Sequence, residues 1–278
     1  MLVCQGRAVA DGVLAPGVFS DPFAAQVLRG DERAEVGLGR DPEPPQDPRD
    51  RMRWERLRAL AEVAVPRTVA IDDAVRDAAC PQVVIVGAGL DFRAWRLPGL
   101  ARVFSVDHPA TQAETRRRTV ALPAPDGLVW VPVDLSRDAL GPALEAAGHD
   151  PALPTAWVWE GVVPYLTRAQ VAATVRELAG ASTPGSTLIV NYQSPSPSAR
   201  VSRALMALLS RIGGEATLTA GEPWRSLWSP ARMAGLLSRH GFDVEHDDDL
   251  LAMAARIGSP TARAQTLKNG RVAVARRR

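Results

Sequence analysis

The chain has 278 residues, with 33 Lys and Arg against 31 Asp and Glu, which leaves a formal net charge of +2. This balance is not the basic excess typical of nucleic-acid-binding proteins, so we expect no nucleic-acid partner, and no apolar run approaches the length of a membrane span. Cys4 and Cys80 form neither a disulfide framework nor a metal-ligand spacing, and Arg7 and Asp11 interrupt any signal-peptide pattern. We therefore expect a cytoplasmic protein without a metal site.

The N-terminal part of the chain predicts helices interrupted by breakers. In "SDPFAAQVLRGDER", Ser20 or Asp21 is a candidate cap and Pro22 suits the first helical turn. The proline-rich residues 41–48 predict a loop, and residues 49–65, rich in Arg, Leu, Ala and Glu, predict a helix. We assign residues 1–78 to an N-terminal helical cap.

The first strand is followed by a glycine-rich loop. Residues 83–86, "VVIV", are β-branched and apolar, which favours a strand buried on both faces of a parallel sheet. Gly87 and Gly89 follow at once, and glycine allows a sharp turn and the close approach of a ligand. Phe92 stands where the dinucleotide-binding GxGxxG pattern needs its third glycine, which weighs against NAD or FAD. A simple tight turn is the alternative.

Acidic residues mark the ends of the next three strands. Asp107 follows "VFSV" about twenty residues after the glycines, where an acid can bind both ribose hydroxyls; the alternative is a cap for the helix near Pro109. A third strand at 127–136 ends in Asp134 and Leu135. That pair would suit an adenine ring, or Asp134 would cap a helix at 136–147.

The remainder of the chain continues the alternation of strands and helices. A fourth strand leads into Glu160, and a fifth, "STLIVNYQ", precedes a loop. The later predicted elements are a helix at 201–212, a loop at 221–230, a helix at 231–240, and the strands "FDVEHD" and "RVAVA". The pattern predicts an α/β fold with a mostly parallel seven-stranded sheet and an antiparallel last strand.

Six motifs between residues 66 and 193 carry a family resemblance. They are "PRTVAIDDAV", "VIVGAGLDFRAWRL", "VFSVDHP", "VPVDL", "WEGVVPYL" and "PGSTLIVNYQ". In this order they resemble the class I S-adenosylmethionine-dependent methyltransferases. More narrowly, they resemble the leucine carboxyl methyltransferase-like family, which includes bacterial polyketide O-methyltransferases. The resemblance implies a Rossmann-like domain at residues 79–278, with a substrate-lid insertion at about 194–230.

The resemblance also implies S-adenosyl-L-methionine as cofactor and a role for each matching residue. Ser105 departs from the many relatives that have Glu two positions before the ribose acid. The implied roles are Gly87, Ala88 and Gly89 under the methionine and ribose, Asp107 at the ribose, Asp134 and Leu135 at the adenine, Glu160 at the amino group, and Arg67 at the methionine carboxylate.

The methyl acceptor is less defined by the sequence. A carboxylate is already ionised at pH 7, whereas a phenol would gain from a base, and none of the four histidines is predicted to lie at the methyl group. We therefore expect an oxygen acceptor, a carboxylate before a hydroxyl, on a small molecule or a peptide end. A non-methyltransferase that binds another adenine nucleotide such as NAD is the alternative.

Three residues are candidates for positioning the acceptor. Tyr165 and Tyr192 are the only tyrosines and follow predicted strand ends, although ordinary packing would explain them equally. Arg225, between Trp224 and Trp228, suits bidentate contact with a carboxylate; a surface arginine stacked on tryptophan is the alternative. Arg93 and Arg96 are expected to brace Asp91.

Overall fold

The structure, a computed structural model, describes residues 1–135, 137–195 and 224–278. The helix predicted at 201–212 and the first part of the predicted 221–230 loop lie outside these residues, as does most of the predicted lid. The strands are β1 (Gln82–Val86), β2 (Val103–Asp107), β3 (Leu128–Pro132), β4 (Thr155–Trp159), β5 (Thr187–Gln193), β6 (Phe242–Asp249) and β7 (Gly270–Arg277). The helices are α1 (Leu2–Ala10), α2 (Gly30–Arg40), α3 (Pro48–Ala78), α4 (Arg93–Arg96), α5 (Pro109–Thr119), α6 (Leu140–Ala146), α7 (Arg168–Gly180), α8 (Pro230–Arg239), α9 (Leu250–Arg256) and α10 (Ala264–Asn269), with a 3₁₀ turn at Val163–Tyr165.

The seven strands form one sheet in the order β3-β2-β1-β4-β5-β7-β6. β1 to β5 pair in parallel, and β7 runs antiparallel to both β5 and β6. This confirms the predicted sheet with its antiparallel last strand. Every residue of the central strands β1 and β4 is buried, as expected for apolar runs covered on both faces. The strand order reverses between β1 and β4, so a ligand crevice is expected at their carboxyl ends.

Helices cover both faces of the sheet. On one face α6, α7 and α8 pack on the sheet through Leu144, Val175 and Leu237, all fully buried. On the other face α3 and α9 contribute Ile71 and Leu250 to a second apolar cluster. The two clusters cover both faces of the sheet. A ligand site is therefore expected in the loops at its carboxyl edge.

The N-terminal helices form a third cluster beside the sheet. α1 lies directly on α3, and a Cβ added at Gly6 would come within 2.9 Å of the Leu60 carbonyl carbon. Glycine therefore permits this close helix contact. Phe19, Val36 and Phe92 are buried in the same cluster, which joins the N-terminal region to the segment after the glycine loop.

Three predicted boundaries are wrong. The helix predicted from Pro22 is a series of turns, and α2 begins only at Gly30. Oδ1 of Asp21 accepts from the Ala24 N–H in the first of these turns, while its Oδ2 pairs with the distant Arg7 in the buried N-terminal cluster. The helix predicted to end at residue 65 continues through Pro66 to Ala78, since its second half packs against the sheet. The third strand ends at Pro132 rather than at 136, so Asp134 and Leu135 lie in a turn.

Among the residues that the structure describes, no helix combines the length and the apolarity that crossing a membrane requires.

Candidate functional site

The glycine loop after β1 is hydrogen-bonded to the end of β2. Gly87 and Gly89 have φ values of +69° and +51°, a region that favours glycine. The Gly89 N–H donates to Oδ2 of Asp107 at 2.6 Å, and the His108 N–H donates to Oδ1 of the same carboxylate at 2.7 Å. The N-cap of α5 is His108, whose Nδ1 accepts from the Ala110 N–H, so Asp107 does not cap that helix.

The two glycines differ in the space around them, which gives a matched pair of substitutions. A Cβ at Gly87 would lie 2.6 Å from Cγ2 of Val162, whereas a Cβ at Gly89 would meet nothing within 4 Å. Gly87→Ala should lower the free energy of unfolding by about 2–4 kcal/mol through backbone strain and the clash. Gly89→Ala should cost only about 1–2 kcal/mol from strain, yet weaken S-adenosylhomocysteine binding about tenfold, because the added methyl projects into ligand space. Denaturant unfolding and calorimetry measure both; equal stability losses would contradict the assignment of open space to Gly89.

Glu160, the first residue after β4, lies between two arginines. Its Oε1 is 2.7 Å from Nε of Arg67 and its Oε2 is 2.8 Å from Nη2 of Arg93. Burial alone would raise the pKa of Glu160, but the two guanidinium groups outweigh it and hold that pKa well below its usual range. A carboxylate can accept about four hydrogen bonds, so Glu160 can accept one from an ammonium group while it is paired with both arginines.

Arg93 connects this carboxylate to two more acids. Its Nε is 2.8 Å from Oδ1 of Asp72, its Nη1 contacts Asp91, and Arg96 also pairs with Asp72. Arg93 is 1% exposed. The predicted contact of Arg93 with Asp91 is present, whereas Arg96, which was also expected to brace Asp91, pairs with Asp72 instead. The role of Arg93 as a link between α3, the glycine loop and Glu160 depends on contacts between residues far apart in the chain.

A cavity of about 180 Å³ lies beside Glu160 and its partner Arg67. Its lining includes the loop from Gly87 to Asp91 with Arg67 and Glu160, and one side is closed by Met1 and by Val3, Cys4 and Arg7 of α1. Arg7 is buried, with its Nε 2.7 Å from Oδ2 of Asp21 and a second nitrogen donating to the Leu90 carbonyl. The α1 residues were not among the predicted site residues, because no local pattern links them to a loop eighty residues later.

The predicted adenine residues lie next to the predicted ribose acid. The Val133 N–H donates to the Asp107 carbonyl at 2.9 Å, which brings the β3 exit beside the β2 exit. Leu135 is 39% exposed and offers an apolar surface there. Oδ2 of Asp134 lies 3.6 Å from Nε of Arg137. α6 begins only at Leu140, so Asp134 does not cap it.

The three candidate acceptor residues are separated. Tyr192 is fully buried and its hydroxyl donates to Oδ2 of Asp247 at 2.6 Å; burial, with this bond, raises the pKa of Tyr192 well above its usual value. That arrangement fits the packing alternative. Tyr165 is 39% exposed on the 3₁₀ turn, and the Arg225 N–H donates to the neighbouring Pro164 carbonyl at 2.6 Å. Arg225 therefore lies against the loop that leaves β4 and carries Tyr165.

The groups at the cavity and along the adjoining sheet edge suit the parts of S-adenosylmethionine, which carries a carboxylate, an ammonium group, a ribose diol and an adenine. Arg67 and Glu160 line the cavity, whereas Asp107 and the Asp134–Leu135 turn lie outside its lining, in that order along the sheet edge after β2 and β3. Open space above Gly89 leaves room for the ligand against the backbone. Phe92, at the position of the missing third glycine, is buried in the N-terminal cluster. In the described part of the chain, no group of His, Cys, Asp and Glu is arranged to hold a metal ion.

Known proteins are similar to this chain in sequence or in fold. A family model described as leucine carboxyl methyltransferase matches residues 1–179. A protein of Mycobacterium sp. (strain JLS), named as an S-adenosyl-L-methionine-dependent methyltransferase, is 36% identical over 210 residues, covering 71% of this chain and 67% of its own. A similarly named protein of Streptomyces avermitilis is 32% identical over 252 residues, with 87% and 81% covered. The chain spans about two thirds of the length of the mycobacterial relatives.

A solved structure from Thermobifida fusca, described as a methyltransferase, shares the fold with a TM-score of 0.58 at 18% identity, covering 92% of this chain and 93% of that one. The fold is thus that of Rossmann-like methyltransferases, as the sequence predicted. The family match spans the N-terminal helices, the glycine loop and Glu160, which are the parts that build the cavity. The chain therefore belongs to the leucine carboxyl methyltransferase family of S-adenosylmethionine-dependent methyltransferases.

Proposed function

We propose that the protein is an O-methyltransferase that transfers a methyl group to a carboxylate of a small molecule. A polyketide or other secondary metabolite is the proposed acceptor class, with a peptide end or a hydroxyl as the other acceptors to test, and the cytoplasm is the proposed location. The supporting observation is the absence of an imidazole base among the described residues that line the cavity and the loop after β4.

Each of the four histidines has a different place in the fold. Nδ1 of His108 caps α5, and Nε2 of His149 lies 2.9 Å from Oγ1 of Thr155 in the core, where burial lowers the pKa of His149. His240 follows α8 and His246 lies in β6. Residues 196–223, outside the described ranges, contain no histidine in their sequence. A phenol acceptor would have no imidazole to take its proton, whereas a carboxylate needs none.

The chain's contribution is positioning and the exclusion of water. When bound, S-adenosylmethionine supplies a methyl group already made electrophilic by its sulfonium. Arg67 and Glu160 would hold the methionine end and Asp107 the ribose, while α1 shields the methionine end of the cavity from solvent. Fixing both partners of an in-line transfer in one orientation accounts for a large part of such rate enhancements.

The pH dependence of turnover tests the acceptor class. Candidate acids and phenols are incubated with labelled methyl donor, and the rate on the best acceptor is followed across pH. A carboxylate acceptor should give a nearly flat rate between about pH 6 and 8, because carboxyl groups titrate near 4. Its product should be a methyl ester that mild alkali cleaves. A rate that rises about tenfold per pH unit, with an alkali-stable product, would exclude the carboxylate and leave the cofactor assignment intact.

A further inference from the structure

A second cavity, of about 650 Å³, lies beside the loop that leaves β4. We call it the arginine cavity, because its described lining contains Arg168, Arg225 and Arg232 and no carboxylate. Trp224, which is 42% exposed, forms part of the same lining. These three cations give the described part of this concave surface a positive potential, which attracts an anion.

The arginine cavity is tied to the carboxyl edge of the sheet. The backbone N–H groups of Arg225 and Ser226 both donate to the Pro164 carbonyl, and the Trp228 N–H donates to the Gln193 carbonyl at the end of β5. The cofactor cavity is lined by Gly161 and Val162, just before Pro164 in the chain. The short segment from Gly161 to Pro164 therefore links the two cavities.

Two of the arginines occupy places that helix electrostatics disfavours. Arg168 is the first residue of α7 and Arg232 is the third residue of α8, and neither first turn contains an acid. The N-terminal end of a helix is positive, so a cation there costs stability, whereas Asp or Glu would add to it. Residues that are unfavourable for their local structure are expected at functional sites, where a bound ligand offsets their cost in stability.

The guanidinium groups are available to a ligand. Nη2 of Arg168 donates to the Leu227 carbonyl at 3.2 Å, and the group lies 5.6 Å over the Trp228 ring, which fixes its orientation. Arg225 and Arg232 are exposed and form no ion pair with the residues that the structure describes. Planar guanidinium forks bind carboxylate or phosphate oxygens in pairs.

We propose that the arginine cavity binds a second anionic group of the acceptor, a carboxylate or a phosphate distinct from the carboxylate that is methylated. This inference rests on the proposed function. Two guanidinium groups on the nucleophile itself would withdraw its charge and slow the transfer, so the cluster suits an anion that does not react. The acceptor class is then a small molecule with at least two acidic groups and an apolar part that can lie against Trp224.

Citrate is a suitable probe, added to the full chain with S-adenosylhomocysteine bound and at constant ionic strength. Calorimetry should show citrate binding to the unchanged protein, and the double variant Arg225→Gln/Arg232→Gln should bind it about tenfold more weakly. The matched controls are Arg176→Gln in α7 and Arg239→Gln at the end of α8, neither of which lines the cavity; both should bind citrate normally. Absence of citrate binding, or equal binding by the double variant, would overturn the inference.

The melting temperatures of two variants distinguish a binding role of Arg232 from a structural one. Without citrate, Arg232→Gln should leave the melting temperature unchanged or raise it, whereas Arg239→Gln should lower it slightly, because one cation lies at the positive end of α8 and the other at the negative end. A clear loss of stability in Arg232→Gln would mean that the side chain serves the fold instead. If the unchanged protein does not bind S-adenosylhomocysteine, the proposed function itself is refuted. If it binds that product but shows no arginine-dependent citrate binding, only this inference is refuted.

Discussion

Replacing Arg93 with Met is expected to lower the free energy of unfolding by about 3–5 kcal/mol. Arg93 is 1% exposed and its guanidinium contacts Asp72, Asp91 and Glu160. Its removal leaves buried carboxylates close to one another, with the ion pairs of Arg67 and Arg96 and the more distant charge of Arg7 to compensate them. An uncompensated buried charge costs much more than the loss of a surface pair, which is why this substitution should have the largest effect on stability.

Denaturant unfolding measures the change, and Arg76→Met is the matched control. Arg76 lies on the same helix as Asp72, pairs with Asp73 at the exposed surface, and should cost no more than about 0.5 kcal/mol. Arg93→Lys keeps the charge but not the planar fork, so an intermediate loss is expected. A loss below about 1 kcal/mol in Arg93→Met would show that the network adds little to the fold.

Replacing Asp107 with Ala is expected to weaken S-adenosylhomocysteine binding at least about tenfold. Two ribose hydroxyls would donate to this carboxylate, and hydrogen bonds to a charged acceptor contribute about 1.5–3 kcal/mol each. The structure adds a second reason: the carboxylate also accepts from the Gly89 N–H at 2.6 Å, so its removal releases the loop on which the cofactor would lie.

Calorimetry with the purified variant tests this, with circular dichroism to establish that the fold is intact. Asp126→Ala, an exposed acid in the loop before β3, is the control and should bind normally. Asp107→Asn keeps the shape and one acceptor oxygen, so it should fall between the two. Unchanged affinity in Asp107→Ala would refute the ribose assignment and leave the loop contact as the only role of this residue.

The sheet and its ligand edge were predictable because their signals are local. Runs such as "VVIV" identify buried parallel strands, and the carboxyl ends of such strands meet at one edge, so the glycine loop, Asp107 and Glu160 had to lie near one another. The role of Tyr192 was not predictable in this way. Its hydroxyl meets Asp247 of β6 because β7 inserts between β5 and β6, and strand order is not a local property.

The α/β alternation, the order of the strand ends and the chemistry available at each of them can be read from the amino-acid pattern. Which charges meet depends on the folded arrangement, which places Arg67 and Arg93 on Glu160, Arg7 on Asp21, and three arginines around one cavity. Backbone preference acts over a few residues and leaves a readable pattern. Ion pairing depends on distance in space between groups that lie tens of residues apart, so it appears only once the sheet has brought those segments together.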